Sequence, residues 1–422
     1  MGFSDSSRRS FLRSLGAVGA SWAVPRLVRA DDAEPEDRLL DEVERRACRY
    51  FYEMADPNTG LVLDRAAINQ TYSPDVASIA ATGFGLSALA IADSRRYLDR
   101  AQAQARVRTT LKYLCDKTAQ ERGFFYHFLD SATGGRVWHC DASSIDTAWL
   151  LCGALHSRAY WDDADIRKYA DELLNRVDWR WMLNGRDTLS HGWTPEGGFY
   201  KLRWDSYCET LAMYLLAISS EKHAIPAACW NAFARPGADY QGIFYIDGCT
   251  PLFVHQYSHA WFDFRNRVDR YSNYYRNSVR ATAAHRLFCI ALSKKYPWYG
   301  PDMWGVTASD SRTGYRVWGS PANPPDGTLV PCAAGGSLAF LPNLCGTVVR
   351  NMYNRYPESW SKFGFVDAFH PEEKWYSRDV IGIDLGIMLL MAENTRSEQV
   401  WESIMSTPEA KRGMQAAGFR AV

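Results

Sequence analysis

Along residues 36–54 the apolar side chains Leu39, Leu40, Val43, Ala47, Tyr50, Phe51 and Met54 recur every three or four positions with charges between them. That spacing predicts an amphipathic helix with one face on a core. Residues 75–92 differ, because Val76, Ala77, Ile79, Ala80, Phe84, Leu86, Leu89 and Ile91 leave almost no polar face, so this helix must be enclosed on all sides. The alternation continues: 99–117 and 163–176 are amphipathic, 142–159 and 204–219 mostly apolar. Further helices are predicted over 227–234, 271–294, 336–356, 383–394 and 398–405, separated by loops rich in Gly, Pro, Trp and Asp, with few alternating β runs. Outer and inner helices taking turns through about 390 residues predict an all-α fold, an (α/α)6 toroid, since a four-helix bundle saturates its core sooner. No period of 30–50 residues marks a solenoid. No low-complexity linker divides residues 31–422, so a single domain is expected.

Ahead of that domain, Ser7, Arg8, Arg9, Ser10, Phe11, Leu12 and Arg13 read S-R-R-x-F-L-R, followed by a weakly apolar stretch rich in Gly and Ala, and then by Val28-Arg29-Ala30. Residues 1–30 are therefore expected to be a twin-arginine signal, cleaved after Ala30, with the Tat translocase as a transient partner. A periplasmic or secreted protein of bacterial origin follows. No segment has the 18 or so uninterrupted apolar residues of a membrane span, so no membrane insertion is expected.

Composition narrows the chemistry. Lys and Arg number 48 against 48 Asp and Glu, which leaves no excess positive charge for nucleic acid. Ten cysteines are scattered without close pairs, and metal-ligand spacings are absent, so buried free thiols, no metal and no organic cofactor are expected. A monomer is expected. Aromatic residues make up 14% of the chain, with 16 Trp and 23 Tyr, which suits a ligand with apolar faces and polar edges such as a sugar.

Several segments are poorly explained by packing alone. Residues 121–138 form a hairpin-like loop turning at Thr133-Gly134-Gly135, which contains His127 and Trp138 and leads to Asp141, Ser143, Ser144 and Asp146 at a helix start. Carboxylates there are stabilised by the helix dipole, so capping explains them as readily as catalysis. Glu209 lies within the apolar run 204–219, where an unpaired charge would cost several kcal/mol. It is either paired, with Arg203 or Arg265 as candidates, or protonated, as a general acid requires. Residues 251–265 interleave His255, Gln256, Tyr257, His259, Trp261, Asp263 and Arg265, a mixture suited either to sugar recognition or to a buried polar network. Asp384 opens the apolar helix that ends in Glu393 and Asn394. Trp138, Trp193, Trp204, Trp261, Trp304 and Trp375 are candidate stacking platforms, with Trp261 placed first.

These stretches, with Asp75 to Leu89, Gly123 to Gly134, Ser143 to Thr147, Tyr207 to Ala217 and Gly364 to Phe369, run in order through the chain and resemble the glycoamylase-like proteins. That group includes the bacterial endo-β-1,2-glucanases of glycoside hydrolase family 144. The resemblance implies an (α/α)6 fold and cleavage of a β-linked glucan, β-1,2-glucan foremost, with inversion. It makes Glu209 the general acid and places Asp146 and Asp141 at essential carboxylate positions. Inversion needs a protonated carboxyl and a water-activating carboxylate roughly 6.5–9.5 Å apart. Asp146 is the first candidate for that base and Asp384, acting through a water or a substrate hydroxyl, the second. Asp141 either holds the sugar or caps the helix. His127, Trp138, His255, Gln256, Tyr257, His259, Trp261, Asp263, Arg265 and Glu393 are the expected substrate contacts. The chain departs from the commoner family pattern at Asp141, where Glu is frequent, and at Leu385, where Gln is frequent. Two rivals remain: a polysaccharide lyase on the same toroid, using Tyr257, His259 and Arg265 on a uronate, and a glycan-binding protein without turnover.

Overall fold

Helix α1 (Pro35–Glu53) turns Leu40, Val43, Ala47, Tyr50 and Phe51 into the interior, the face that its sequence spacing marked. The structure, a computed structural model, describes residues 35–69 and 75–422; the signal-like segment 1–30 lies outside the described residues. Helix α2 (Ile79–Ser94) is buried along nearly its whole length and is capped by Ser78, whose Oγ accepts the Ala81 N–H at 3.2 Å. Outside it come α3 (Arg100–Asp116), capped by Asp99, then the buried α4 (Ser144–Tyr160) and the amphipathic α5 (Ala164–Arg176), capped by Asp163. Two glycines let α2 and α4 touch backbone to backbone: a Cβ on Gly153 would sit 2.0 Å from the Gly83 carbonyl oxygen.

The chain continues through α6 (Trp179–Leu183), α7 (Leu211–Ser219), α8 (Tyr257–Trp261), α9 (Tyr274–Ala291), α10 (Pro331–Gly335), α11 (Pro342–Arg355), α12 (Gly382–Arg396), α13 (Gln399–Ser406) and α14 (Pro408–Ala416). Helices α2, α4, α7, α8, α10 and α12 are enclosed almost completely, whereas α1, α3, α5, α9 and α11 each keep one wet face. The mostly helical, two-tier arrangement is the one the hydrophobic pattern predicts. Strands among the described residues are two to four residues long and form antiparallel two-stranded sheets and one three-stranded sheet in the loops. Val76–Ser78 pairs with Phe128–Asp130, which then turns at residues 131–135 as expected.

Three elements differ from the sequence reading. The helix expected from residue 204 begins at Leu211, because the preceding backbone is paired elsewhere: the Trp204 N–H bonds Leu189 and the Tyr207 N–H bonds Ala234. The stretch 336–356 is broken, with prolines opening α10 at Pro331 and α11 at Pro342. Residues 227–234 make only a 3₁₀ turn, Ala227–Asn231.

The C-terminal end of α12 is tied to α1 and α2 by a buried charge network. Arg95 bonds both carboxylate oxygens of Glu393 at 2.8 and 3.2 Å, and Arg396 pairs with Glu44 and with Asp41. Burial, with the Glu393 charge second, raises the Glu44 carboxyl to about 8. Glu393, expected to contact substrate, is thus a structural residue, about 13 Å along the helix from Asp384 at 1.5 Å per residue. Arg95→Ala should cost about 3–5 kcal/mol in urea unfolding by leaving Glu393 buried and uncompensated, with KM unchanged.

Candidate active site

The first turns of α4 and α12 and the turn before α7 each carry a buried carboxyl, so three inner helices present their positive dipole ends to one region. Asp146 sits in the first turn of α4. The Ser143 Oγ accepts the Asp146 N–H at 3.3 Å and donates back to its Oδ2 at 2.5 Å, while His127 Nδ1 lies 3.6 Å from the same oxygen. His127 is held by its backbone, donating to the Asp141 carbonyl and accepting from Ile79, and by stacking on Phe128 at 3.9 Å. Asp141 stands beside this pair. Its Oδ2 occupies the space a side chain at Gly192 would need, 2.2 Å from where a Cβ would lie, so only glycine fits there. Burial and then the Asp146 charge raise the Asp141 carboxyl.

Glu209 precedes α7 and is 8% exposed. Its backbone carbonyl accepts the Ser258 Oγ–H at 2.5 Å, and the same oxygen of Ser258 accepts the Ala212 N–H, so α8 pins the turn that carries the acid. The Cys208 thiol donates to its Oε2. Neither candidate arginine reaches it: Arg203 bonds Thr188 and the Leu183 carbonyl, and Arg265 bonds Asp263 and Glu398. Burial, with a contribution from the Asp146 charge, raises the Glu209 carboxyl toward the form a general acid needs.

Asp384 lies in the first turn of α12, which approaches α2 closely because Gly386 faces Phe84, where a Cβ would be 2.4 Å from the ring. Its Oδ1 accepts from the Cys332 thiol at 3.3 Å, and burial raises its carboxyl to about 6. Tyr257, at the start of α8, is near enough to both walls for their carboxyls to act on its phenol. Its phenol is raised by burial, then by Asp384, with Glu209 among the smaller contributors. No protein partner for its hydroxyl is found among the described residues.

The remaining expected contacts are placed differently. Trp261 is fully buried, stacked on Trp149 at 5.6 Å and donating to Ser87, so it is core rather than a platform. Gln256 spends its amide on the Ala333 carbonyl and Ser337, His255 bonds Tyr207, and His259 bonds Ser278; burial holds both imidazoles neutral, down to about 3. Asp263 and Arg265 form a pair with Glu398, the guanidinium lying 4.2 Å over Trp401. The polar-network reading of this segment is the one its geometry matches, with Tyr257 the exception. Among the tryptophans, Trp304 is fully buried, Trp204 donates to Ser144, and Trp193 and Trp375 are half-buried. Trp138 is 66% exposed and edge-on to Phe128 at 5.1 Å, beyond His127. It and His139 both have left-handed backbones, φ 54° and 52°, held by Arg136, which bonds the His139 and Cys140 carbonyls.

Sequence reasoning missed Tyr200, Asp64, Asp310, Asp367 and Tyr315. Tyr200 is 41% exposed, and partial burial followed by the nearby Asp141 charge raises its phenol. Asp367 falls within the Gly364 to Phe369 stretch that carried the family resemblance, which is the one signal that could have found it.

Residues 201–408 match the Glycoamylase family model. An exo-β-1,2-glucooligosaccharide sophorohydrolase of Parabacteroides distasonis is 28% identical over 90% of this chain, which spans only 58% of that relative's length. The endo-β-1,2-glucanase of Chitinophaga pinensis, solved with sophorotriose and glucose, superposes with a TM-score of 0.87 at 28% identity, covering 92% of this chain and 99% of that one. A β-1,2-glucanase from Parabacteroides distasonis superposes at 0.84 with 25% identity, covering 92% of this chain and 60% of the other. Sequence motifs, helical architecture and solved relatives agree: residues 201–408 match the Glycoamylase family, and the chain is similar along most of its length to bacterial β-1,2-glucanases.

Proposed function

We propose that this protein is an exported glycoside hydrolase that cleaves a β-linked glucan, β-1,2-glucan foremost, by inversion on an (α/α)6 toroid. The observation that carries this reading is Glu209, a buried carboxyl with no cation among the described residues, near Asp146, with Glu209 and Asp384 both close enough to act on the Tyr257 phenol. A carboxyl kept protonated at neutral pH can donate to the glycosidic oxygen as the bond breaks. The Asp146 charge next to it opposes its ionisation, which favours the acid form. Asp384, on the other wall, takes the base role and accepts the proton of the attacking water directly or through a substrate hydroxyl. Asp141 and Tyr200 supply hydrogen bonds to sugar hydroxyls.

The lyase alternative loses its cast, since His259 is buried and Arg265 is paired away from the cleft. The test is incubation with linear β-1,2-glucan, laminarin, cellulose, starch and a uronate polymer. Short β-1,2-gluco-oligosaccharides released as the α-anomer from the first alone are expected. Release from another polymer moves the specificity, and binding without turnover refutes the hydrolase. Export through the Tat translocase is checked by recovering the periplasmic protein with Asp31 at its N-terminus.

Trp138 supplies a distal platform at the rim. Stacking is worth about 0.5–1.5 kcal/mol, so Trp138→Ala should raise KM for long glucan by about 3–10-fold and leave kcat unchanged.

A further inference from the structure

Asp367 lies between two short strands behind the first turn of α12, with its carboxyl in hydrogen-bonding contact with that of Asp384. One oxygen of each is accounted for: Asp367 Oδ2 accepts the Asp310 N–H at 2.6 Å, and Asp384 Oδ1 accepts from Cys332. The other two, Asp367 Oδ1 and Asp384 Oδ2, are buried with no donor among the described residues. Two carboxylates cannot satisfy one another, because each only accepts; a proton between them satisfies both.

The surroundings demand the same. Asp310 and Asp64 both bond Arg65, and Asp379 lies 3.5 Å from the same guanidinium. One Arg65 cation thus serves three other carboxylates, and among the described residues no cation pairs with Asp367 or Asp384. The groups that cover it from α8 and α10, Tyr257 and Cys332, are a phenol and a thiol held neutral by burial and these charges, and the half-exposed Tyr315 from the loop before α10 is a phenol whose ionisation the same charges oppose.

We infer that Asp367 is a positioning residue, protonated through Oδ1 and donating to Asp384 Oδ2, so that Asp384 stays ionised and offers Oδ1 to the cleft. This deepens the proposed function and rests on Asp384 acting as its base.

The sign of a pH shift tests it. Asp367→Leu removes the donor, so Asp384 holds its proton more tightly and the acid limb of kcat/KM moves up by about one pH unit, about tenfold in rate on that side. Asp367→Asn keeps a donor, so the limb should stay within about half a unit. Were Asp367 an ionised neighbour, both variants would move the limb down; a limb unmoved in a folded Leu variant leaves only a structural role, and either result overturns the inference. Infrared spectra read the proton itself: the protonated-carboxyl band at pH 8 should lose intensity in Asp367→Asn relative to wild type. No loss overturns the shared proton even if the Leu variant fails to fold. If Asp384→Asn keeps full activity, the base assignment fails, and the infrared difference still decides the proton.

Discussion

Glu209→Gln should lower turnover of β-linked glucan by roughly 10³-fold or more while leaving the thermal midpoint level with wild type or above it. The amide keeps the shape of the side chain and its contact with Cys208, and the Ser258 bond goes to the backbone, so nothing that holds the turn is lost. What disappears is the transferable proton. A structural ion pair would behave oppositely: losing one partner of a buried pair costs about 3–5 kcal/mol. The geometry excludes that outcome, because Arg203 and Arg265 are both committed elsewhere and Glu209 is desolvated without a cation. An activated leaving group that departs without protonation should recover part of the rate in this variant, which separates loss of the acid from loss of binding.

How much of this was readable in the sequence follows from range. Helix faces are local, so the apolar periodicities of 36–54 and 75–92 located α1 and α2 and told half-buried from enclosed. Cap positions are local too, and Asp146 and Asp384 sit in first turns as their spacing implied. The errors lie where a residue's fate depends on what arrives from far along the chain. Glu209 looked helical until Leu189 and Ala234 claimed the backbone before it. The segment 251–265 mixes aromatics with polar groups, a composition shared by sugar sites and buried networks. Only the long-range bonds of Gln256 to Ala333, Trp261 to Ser87 and Arg265 to Glu398 separate the two. Asp367 was invisible as chemistry because a lone aspartate in a loop has no local pattern, and its meaning comes from Asp384, Asp310 and Arg65 on other elements.

Asp384→Asn should be the second large loss, again roughly 10³-fold, with stability held because the amide keeps the side chain's shape and its oxygen can still accept a hydrogen bond from Asp367. The wild-type profile sets the comparison. Activity should rise as Asp384 loses its proton near pH 6, and the limb on which it falls belongs to Glu209, whose carboxyl burial raises. In Asp384→Asn the lower limb disappears with the rate. Asp146→Asn is the companion measurement, because the two carboxylates have opposite expected signatures. Removing the Asp146 charge lets Glu209 ionise more readily, so the upper limb should shift to lower pH while the lower limb stays. If Asp146 were instead the base, its replacement would erase the lower limb and Asp384→Asn would leave it standing. Two variants and two limbs therefore assign both walls of the cleft, and the anomer released first from β-1,2-glucan by wild type tells whether the water between them attacks from the inverting face.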